Sequence, residues 1–248
     1  MERVVAACAR RCRGVVKVFL ALVLLAVLVV AGLYVATPSV ANAQGRVRAL
    51  AARDGASHVG APVPRTFAES LVASEDGRFY SEPGIDPVGI ARALWLSLTR
   101  PGVDAGGSTL SQQLAKRLYT DGTTGVGAEA EQVALAVKLN LAYSKSQILR
   151  MYAAAVYFGN GFYGLHNAAC GYFGVPPEAL TLGQASVLAG LVQAPSAYDP
   201  FRHPVLARLR QRYVLSRLVA DGVIGASRAR AVAGAPLQLR QGATPAGC

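Results

Sequence analysis

Nineteen consecutive uncharged, mostly apolar residues, Val18 to Ala36, follow a short basic stretch, and no other feature restricts the chain's fold as much. As a helix rising about 1.5 Å per residue, such a run comes close to spanning a hydrocarbon core about 30 Å thick. Arg3, Arg10, Arg11, Arg13 and Lys17 precede it against one acid, Glu2, an imbalance that holds this side in the cytoplasm and sends the rest across. Ala41-Asn42-Ala43 resembles a signal-peptide cleavage box, which is the rival reading. A secretory apolar core is usually about 7–15 residues long, however, and here the box lies far downstream. The sequence therefore predicts a single-pass anchor in the plasma (cell inner) membrane, with 1–17 a cytoplasmic basic tail, 18–36 the transmembrane anchor, and the remainder extracytoplasmic.

Charge is scarce beyond the anchor. Only 16% of the residues are charged, against about 25% in an average soluble domain, and 52% are hydrophobic, which excludes a disordered chain. Four cysteines in 248 residues are too few for a disulfide scaffold. Cys8 and Cys12 read as reduced cytoplasmic thiols and Cys170 as a packing residue, with a Cys170–Cys248 disulfide left open. His58, His166 and His203 are isolated, so no metal-ligand spacing is present. The net charge of +11 suggests nucleic acid, an anionic membrane or a phosphate-bearing substrate, and the anchor favours the last two. The densest basic cluster, Arg208, Arg210, Arg212 and Arg217, reads as a solvated or lipid-facing surface, and nucleic acid is not an expected partner.

Residues 37–65, rich in Ala, Gly and Pro, read as a membrane-proximal connector. From 66 to 235 apolar residues recur with helical spacing and no convincing strand alternation. The predicted helices are 66–75, 88–98, 109–119, 129–142, 145–158, 165–172, 179–191 and 205–221, with a disordered tail over 236–248. The fold class is mainly α.

Two segments could carry chemistry. Glu75-Asp76 ends an apolar helix just before Gly77-Arg78-Phe79-Tyr80, where partial desolvation would raise a carboxylate toward a general base. From local sequence alone, a plain ion pair of Glu75 or Asp76 with Arg78 is the favoured reading. The second segment is Gly106-Gly107-Ser108-Thr109-Leu110-Ser111-Gln112-Gln113-Leu114-Ala115-Lys116-Arg117. Ser108 or Thr109 caps a helix on which Gln112 shares a face with Lys116, and Gln113 with Arg117. Hydroxyls, amides and cations at a helix start suit a sugar or diphosphate, or simply make a capped surface helix.

In this order behind an anchor, these segments resemble the peptidoglycan glycosyltransferases of glycosyltransferase family 51, in their monofunctional form. Residues Glu75 to Asp86 look like the first motif, E-D-x-x-F-x-x-H-x-G, and Gly106 to Lys116 match the second, G-x-S-T-x-x-Q-Q-x-x-K, at every fixed position. Ser144-Lys145, Tyr157-Phe158-Gly159-Asn160 and Gln193-Ala194-Pro195-Ser196 resemble later signatures. The resemblance implies a lysozyme-like, two-lobe helical domain. Its implied reaction is polymerisation of lipid II into the nascent glycan chain, by inverting transfer with release of undecaprenyl diphosphate. Glu75 is then the base. Asp76, Arg78, Phe79, Ser108, Thr109, Gln112, Gln113, Lys116, Arg117, Gln132 and Lys145 bind substrate. No cofactor is required, although a divalent cation (Mg or Mn) could meet the diphosphate, and the implied partners are lipid II, the membrane, transpeptidases and wall-assembly proteins.

The chain also departs from that pattern. The first-motif histidine is Glu82, and the third-motif carboxylate position, counted back from Ser144-Lys145, is Gln132, with Glu131 beside it. One residue along a helix is a rotation of about 100°, so Glu131 supplies the second carboxylate only if the helix is shifted. Three readings follow: an enzyme using Glu75 and Glu131, a weak or inactive relative that binds lipid II or wall-building partners, and a muramidase-like hydrolase. The third lacks a placed second carboxylate.

Overall fold

The computed structural model describes residues 16–17, 19–21, 23–25, 27–28, 31–100, 107–240 and 248, with the backbone alone at Leu94 and Ser97. The basic tail up to 15, with Cys8 and Cys12, lies outside the described residues, as do Gly106 and parts of the expected anchor. The chain divides into two units, Met1–Ser39 and Val40–Cys248. In the first, the described residues up to Ala36 are helical and expose Phe19, Leu24, Leu25 and Leu28. Among the described residues no helix is long and apolar enough to cross a membrane.

The second unit is helical, and among its described residues the only pairing of extended backbone is an isolated bridge between Tyr157 and Tyr163. Its helices are α1 (Ala43–Asp54), α2 (Arg65–Glu75), α3 (Pro87–Thr99), α4 (Leu110–Tyr119), α5 (Val126–Ala142), α6 (Lys145–Ala155), α7 (Leu165–Phe173), α8 (Leu182–Leu191), α9 (Pro204–Ala220) and α10 (Ala226–Gly234). The starts of α4, α6 and α8 share one cause. Thr109, Ser144 and Thr181 each accept the backbone N–H of a glutamine three residues on, and that glutamine's side chain returns to the cap's own N–H. This box moves the start of α8 to Leu182 from the expected 179.

Helices α2, α8, α9 and α10 pack together, as do α1, α4, α5 and α6, with α7 touching both groups. Phe67, Leu71, Leu110, Leu114, Leu135, Leu139, Ile148, Phe158, Tyr172 and Leu188 form one continuous core through them. Among the described residues helix α3 packs extensively on no other helix, and it exposes Val88, Ile90, Trp95 and Leu98.

Two predicted boundaries need correction. The connector contains α1, which buries Ala43, Val47 and Ala51 against the domain. That four-residue spacing is a helical stripe hidden by small-residue composition. In the expected tail 241–247 lie outside the described residues, while Leu237 is buried, the Arg240 N–H donates to the Tyr172 carbonyl at 2.9 Å, and Cys248 is disulfide-bonded to Cys170. The pairing left open in the sequence is therefore made, across a separation of 78 residues. Closing a loop of that length restricts the unfolded chain, and Cys248→Ser should lower the unfolding free energy by about 2–4 kcal/mol. Denaturant midpoints without reductant measure this, and an unchanged midpoint would show that the bridge contributes nothing.

Candidate active site

Glu75 is the last residue of α2, so its backbone is fixed by the helix while its side chain reaches past the helix end. Its side chain is only 9% exposed, and Arg210 of α9 meets its Oε1 at 2.8 Å. Gln113 of α4 donates through Nε2 to Oε2 at 3.3 Å, and the Tyr152 hydroxyl of α6 donates to the Gln113 Oε1 at 2.7 Å. That last bond fixes which end of the Gln113 amide faces the carboxylate. Burial pushes the Glu75 pKa up, and the Arg210 charge and the Gln113 hydrogen bond only partly offset it. The group is a carboxylate made more basic than usual while still held by a cation.

Asp76, next in the chain, has a different task. Its Oδ2 accepts the Leu110 N–H at 2.9 Å, placing a negative group at the start of α4. Burial raises its pKa and that hydrogen bond lowers it. Arg78 pairs with Asp86, donating from Nε to Oδ1 at 2.9 Å, so it accounts for neither Glu75 nor Asp76.

Glu75 and Asp76 lie in the wall of a cavity of about 980 Å³ that is also lined by Arg78, Ser108, Thr109, Gln113, Arg210 and Arg217. Thr109 sits there because its hydroxyl donates to the Gly84 carbonyl at 2.7 Å while accepting the Gln112 N–H. Gly84 has φ +102, and a Cβ there would stand 2.6 Å from the Ala136 carbonyl oxygen, so the loop approaches α5 only as glycine. Beyond Gln113 lies a second cavity of about 300 Å³, lined by Gln113, Lys116, Arg117, Tyr152, Tyr157 and Tyr163. Gln113 belongs to both.

Other predicted residues are placed elsewhere. The Gln112 side chain is spent on capping α4. Phe79 is fully buried, with the Lys145 Nζ 4.6 Å from its ring centre. Lys145 stands 4.0 Å from Glu82, and among the described residues neither Nζ nor either Glu82 oxygen has a hydrogen-bond partner. Gln132 is buried and donates to the Thr120 Oγ1 at 3.0 Å and to the Thr123 carbonyl at 3.1 Å. Glu131 is half-buried, and neither it nor Gln132 lines either cavity.

The transglycosylase family model matches residues 46–219, which include both cavity-lining segments. The chain belongs to the transglycosylase family. Penicillin-binding protein 1A of Neisseria flavescens is 38% identical over 161 residues, covering 65% of this chain and 20% of that protein. The Aquifex aeolicus protein of the same name is 35% identical over 179 residues, covering 72% of this chain and 25% of that protein. The 2.6 Å crystal structure of penicillin-binding protein 1A from Haemophilus influenzae aligns with a TM-score of 0.43 at 20% identity, over 72% of this chain and 17% of that one. Membership rests on the sequence matches, and this chain spans about a fifth to a quarter of the length of the relatives it matches.

Within this transglycosylase domain, sequence reasoning missed Arg210 and Arg217. Both were assigned to a surface cluster, yet Arg210 is 11% exposed and pairs with Glu75, while Arg217 donates from Nε to the Ala73 carbonyl at 3.2 Å. Their spacing of seven on α9 was the available signal, since it puts both on one face.

Glu82 is the most perturbed acid of the site region. Burial and the neighbouring Asp76 push its pKa up to about 7, against the pull of Lys145, whose own pKa burial lowers. A carboxyl that holds its proton more tightly when folded stabilises less as pH rises from its unfolded value, near 4.5, through 7. Glu82→Gln should therefore raise the Tm relative to the parent at pH 8 and converge with it at pH 5. Equal Tm differences at both pH values would show that Glu82 does not titrate in this window.

Proposed function

We propose that the chain is a peptidoglycan glycosyltransferase that polymerises lipid II by inverting transfer, with Glu75 as general base. One observation carries this reading: a basic carboxylate, largely withdrawn from water at the end of α2, faces a cavity of about 980 Å³ whose other walls bring hydroxyls, amides and arginines. In the proposed reaction the 4-hydroxyl of an incoming lipid II attacks the anomeric carbon of the growing chain. Its proton passes to a Glu75 oxygen as the new glycosidic bond forms. The bond to the lipid diphosphate breaks with inversion, and Arg78, Arg210 and Arg217 are the cations available to the departing charge.

The apolar 18–36 run supports a single-pass anchor and an extracytoplasmic domain, and the exposed apolar residues of α3 suit a lipid-facing lobe in a lysozyme-like, two-lobe arrangement. The arginines supply positive charge to the diphosphate from the chain itself. A divalent ion (Mg or Mn) would then bind through phosphate oxygens, because among the described residues no three His, Cys, Asp or Glu side chains group to hold one. Transpeptidases and wall-assembly proteins remain the expected partner classes. Glu131 stands outside both cavities, which favours Glu75 as the single reacting carboxylate.

Glu75→Gln should cut polymerisation of labelled lipid II by about 10²–10⁴-fold and leave substrate binding largely intact, because the amide keeps the shape but accepts no proton. Glu131→Gln should stay near the parent rate. A Glu75→Gln protein of near-parental activity, or a crippled Glu131→Gln protein, would remove this assignment. A parent protein inert on lipid II yet able to bind it would favour the binding reading.

Arg210→Gln tests the electrostatics. Removing the cation leaves burial opposed only by the Gln113 hydrogen bond and raises the Glu75 pKa further, so the acidic limb of the pH–rate profile should move to higher pH. An acidic limb that stays in place would separate Arg210 from the base.

A further inference from the structure

Helix α1 precedes both catalytic segments in the chain and was expected to be part of a connector, yet its last residue, Asp54, meets Arg117, which lines the second cavity. The Asp54 carboxylate is 12% exposed and pairs through Oδ2 with the Arg117 guanidinium, while its Oδ1 accepts from Arg53 at 2.9 Å. Arg117 is held on two further sides. Its Nε donates to the Ala155 carbonyl at 3.3 Å, at the end of α6, and its guanidinium carbon lies 5.2 Å from the centre of the Tyr163 ring.

A guanidinium presents donors on three edges of one plane. Here Nε and one terminal nitrogen are committed and the ring covers the plane, so the group has little freedom to turn. Among the described residues no protein acceptor meets its Nη1, and Arg117 lines the second cavity beside Lys116 and Gln113. Among the described residues no carboxylate lines that cavity. Asp54 meets Arg53 as well as Arg117, so this trio keeps a net positive charge. A planar cation fixed in this way suits a phosphate or carboxylate oxygen better than a free side chain would, because less rotamer freedom is lost on binding.

We infer that Asp54 is a positioning residue: from the end of α1 it fixes the Arg117 guanidinium on the wall of the second cavity, where that group meets the anionic part of a lipid-linked substrate. This rests on the glycosyltransferase reading for the identity of the substrate, and on the geometry alone for the positioning. Helix α1 thereby supports the site from behind its wall, and the segment that follows the apolar run is tied to the substrate through one ion pair.

The experiment uses the full chain in detergent, with two readouts: steady-state polymerisation of lipid II, and equilibrium binding of farnesyl diphosphate as a lipid-diphosphate probe that does not need turnover. Asp54→Asn keeps the shape and removes the charge. It should raise KM and weaken probe binding about 5–10-fold with kcat within about twofold, the signature of lost binding rather than lost chemistry. Asp54→Glu should restore most of the loss. In the Arg117→Ala background Asp54→Asn should have almost no further effect, because its only route to the ligand has been removed. Additive losses in that pair, or an Asp54→Asn protein with unchanged KM and probe affinity, would overturn the inference, as would a fall in kcat and Tm with KM unchanged. A parent protein that binds the probe in an Asp54-dependent way but makes no polymer would uphold the positioning and overturn the glycosyltransferase reading.

Discussion

The ion pair between Glu75 and Arg210 ties the site to the fold, because its two members come from residues 135 apart and are both nearly withdrawn from water. A buried carboxylate without a partner is expensive, and breaking a buried pair by deleting one member typically costs about 3–5 kcal/mol. The packing of α2 against α8 and α9 is what makes the pair possible, and the pair in turn holds α9 over the cavity. Gln113 and Tyr152 extend the same arrangement to α4 and α6. Both helix groups therefore meet at one carboxylate, and its orientation is determined by long-range packing.

The scarcity of acids gives their placement weight. Of the 14, Glu75, Asp76, Glu82 and Asp86 fall in a single stretch of 12 residues, and each has a distinct surrounding. Glu75 faces the cavity. Asp76 holds the start of α4, and Asp86 holds Arg78, whose hydrogen bond pulls the Asp86 pKa down. Glu82 sits beside Lys145 where burial outweighs their mutual attraction. Neighbouring carboxyls are thus pushed apart in acidity by burial and partner, which lets one act as a base while others hold structure.

Much of this was legible locally. Helices announced by Thr or Ser followed three residues later by Gln begin where those caps sit, because capping is decided within one turn. Glu75, Ser108, Thr109 and Gln113 could be singled out because a short ordered pattern carries them, and all four line one cavity. Gln112 and Phe79 belong to the same patterns but serve capping and the core, a distinction that no spacing reveals. Helix α1 was hidden because alanine and glycine carry little hydrophobic signal, although Ala43, Val47 and Ala51 do bury one stripe.

The amino-acid sequence by itself determined the apolar run, the helical class, the caps and the family, since each depends on residues close along the chain or on an ordered set of motifs. Tertiary structure alone decided the partners: Arg210 for Glu75, Asp86 for Arg78, Asp54 for Arg117, and Cys248 for Cys170. It also turned Gln132 onto Thr120 and Thr123 and left Glu131 outside both cavities. The physical reason is that a charge finds its counterpart through the packing of helices distant in sequence, and whether an arginine is solvated or buried depends on which helix lies across from it.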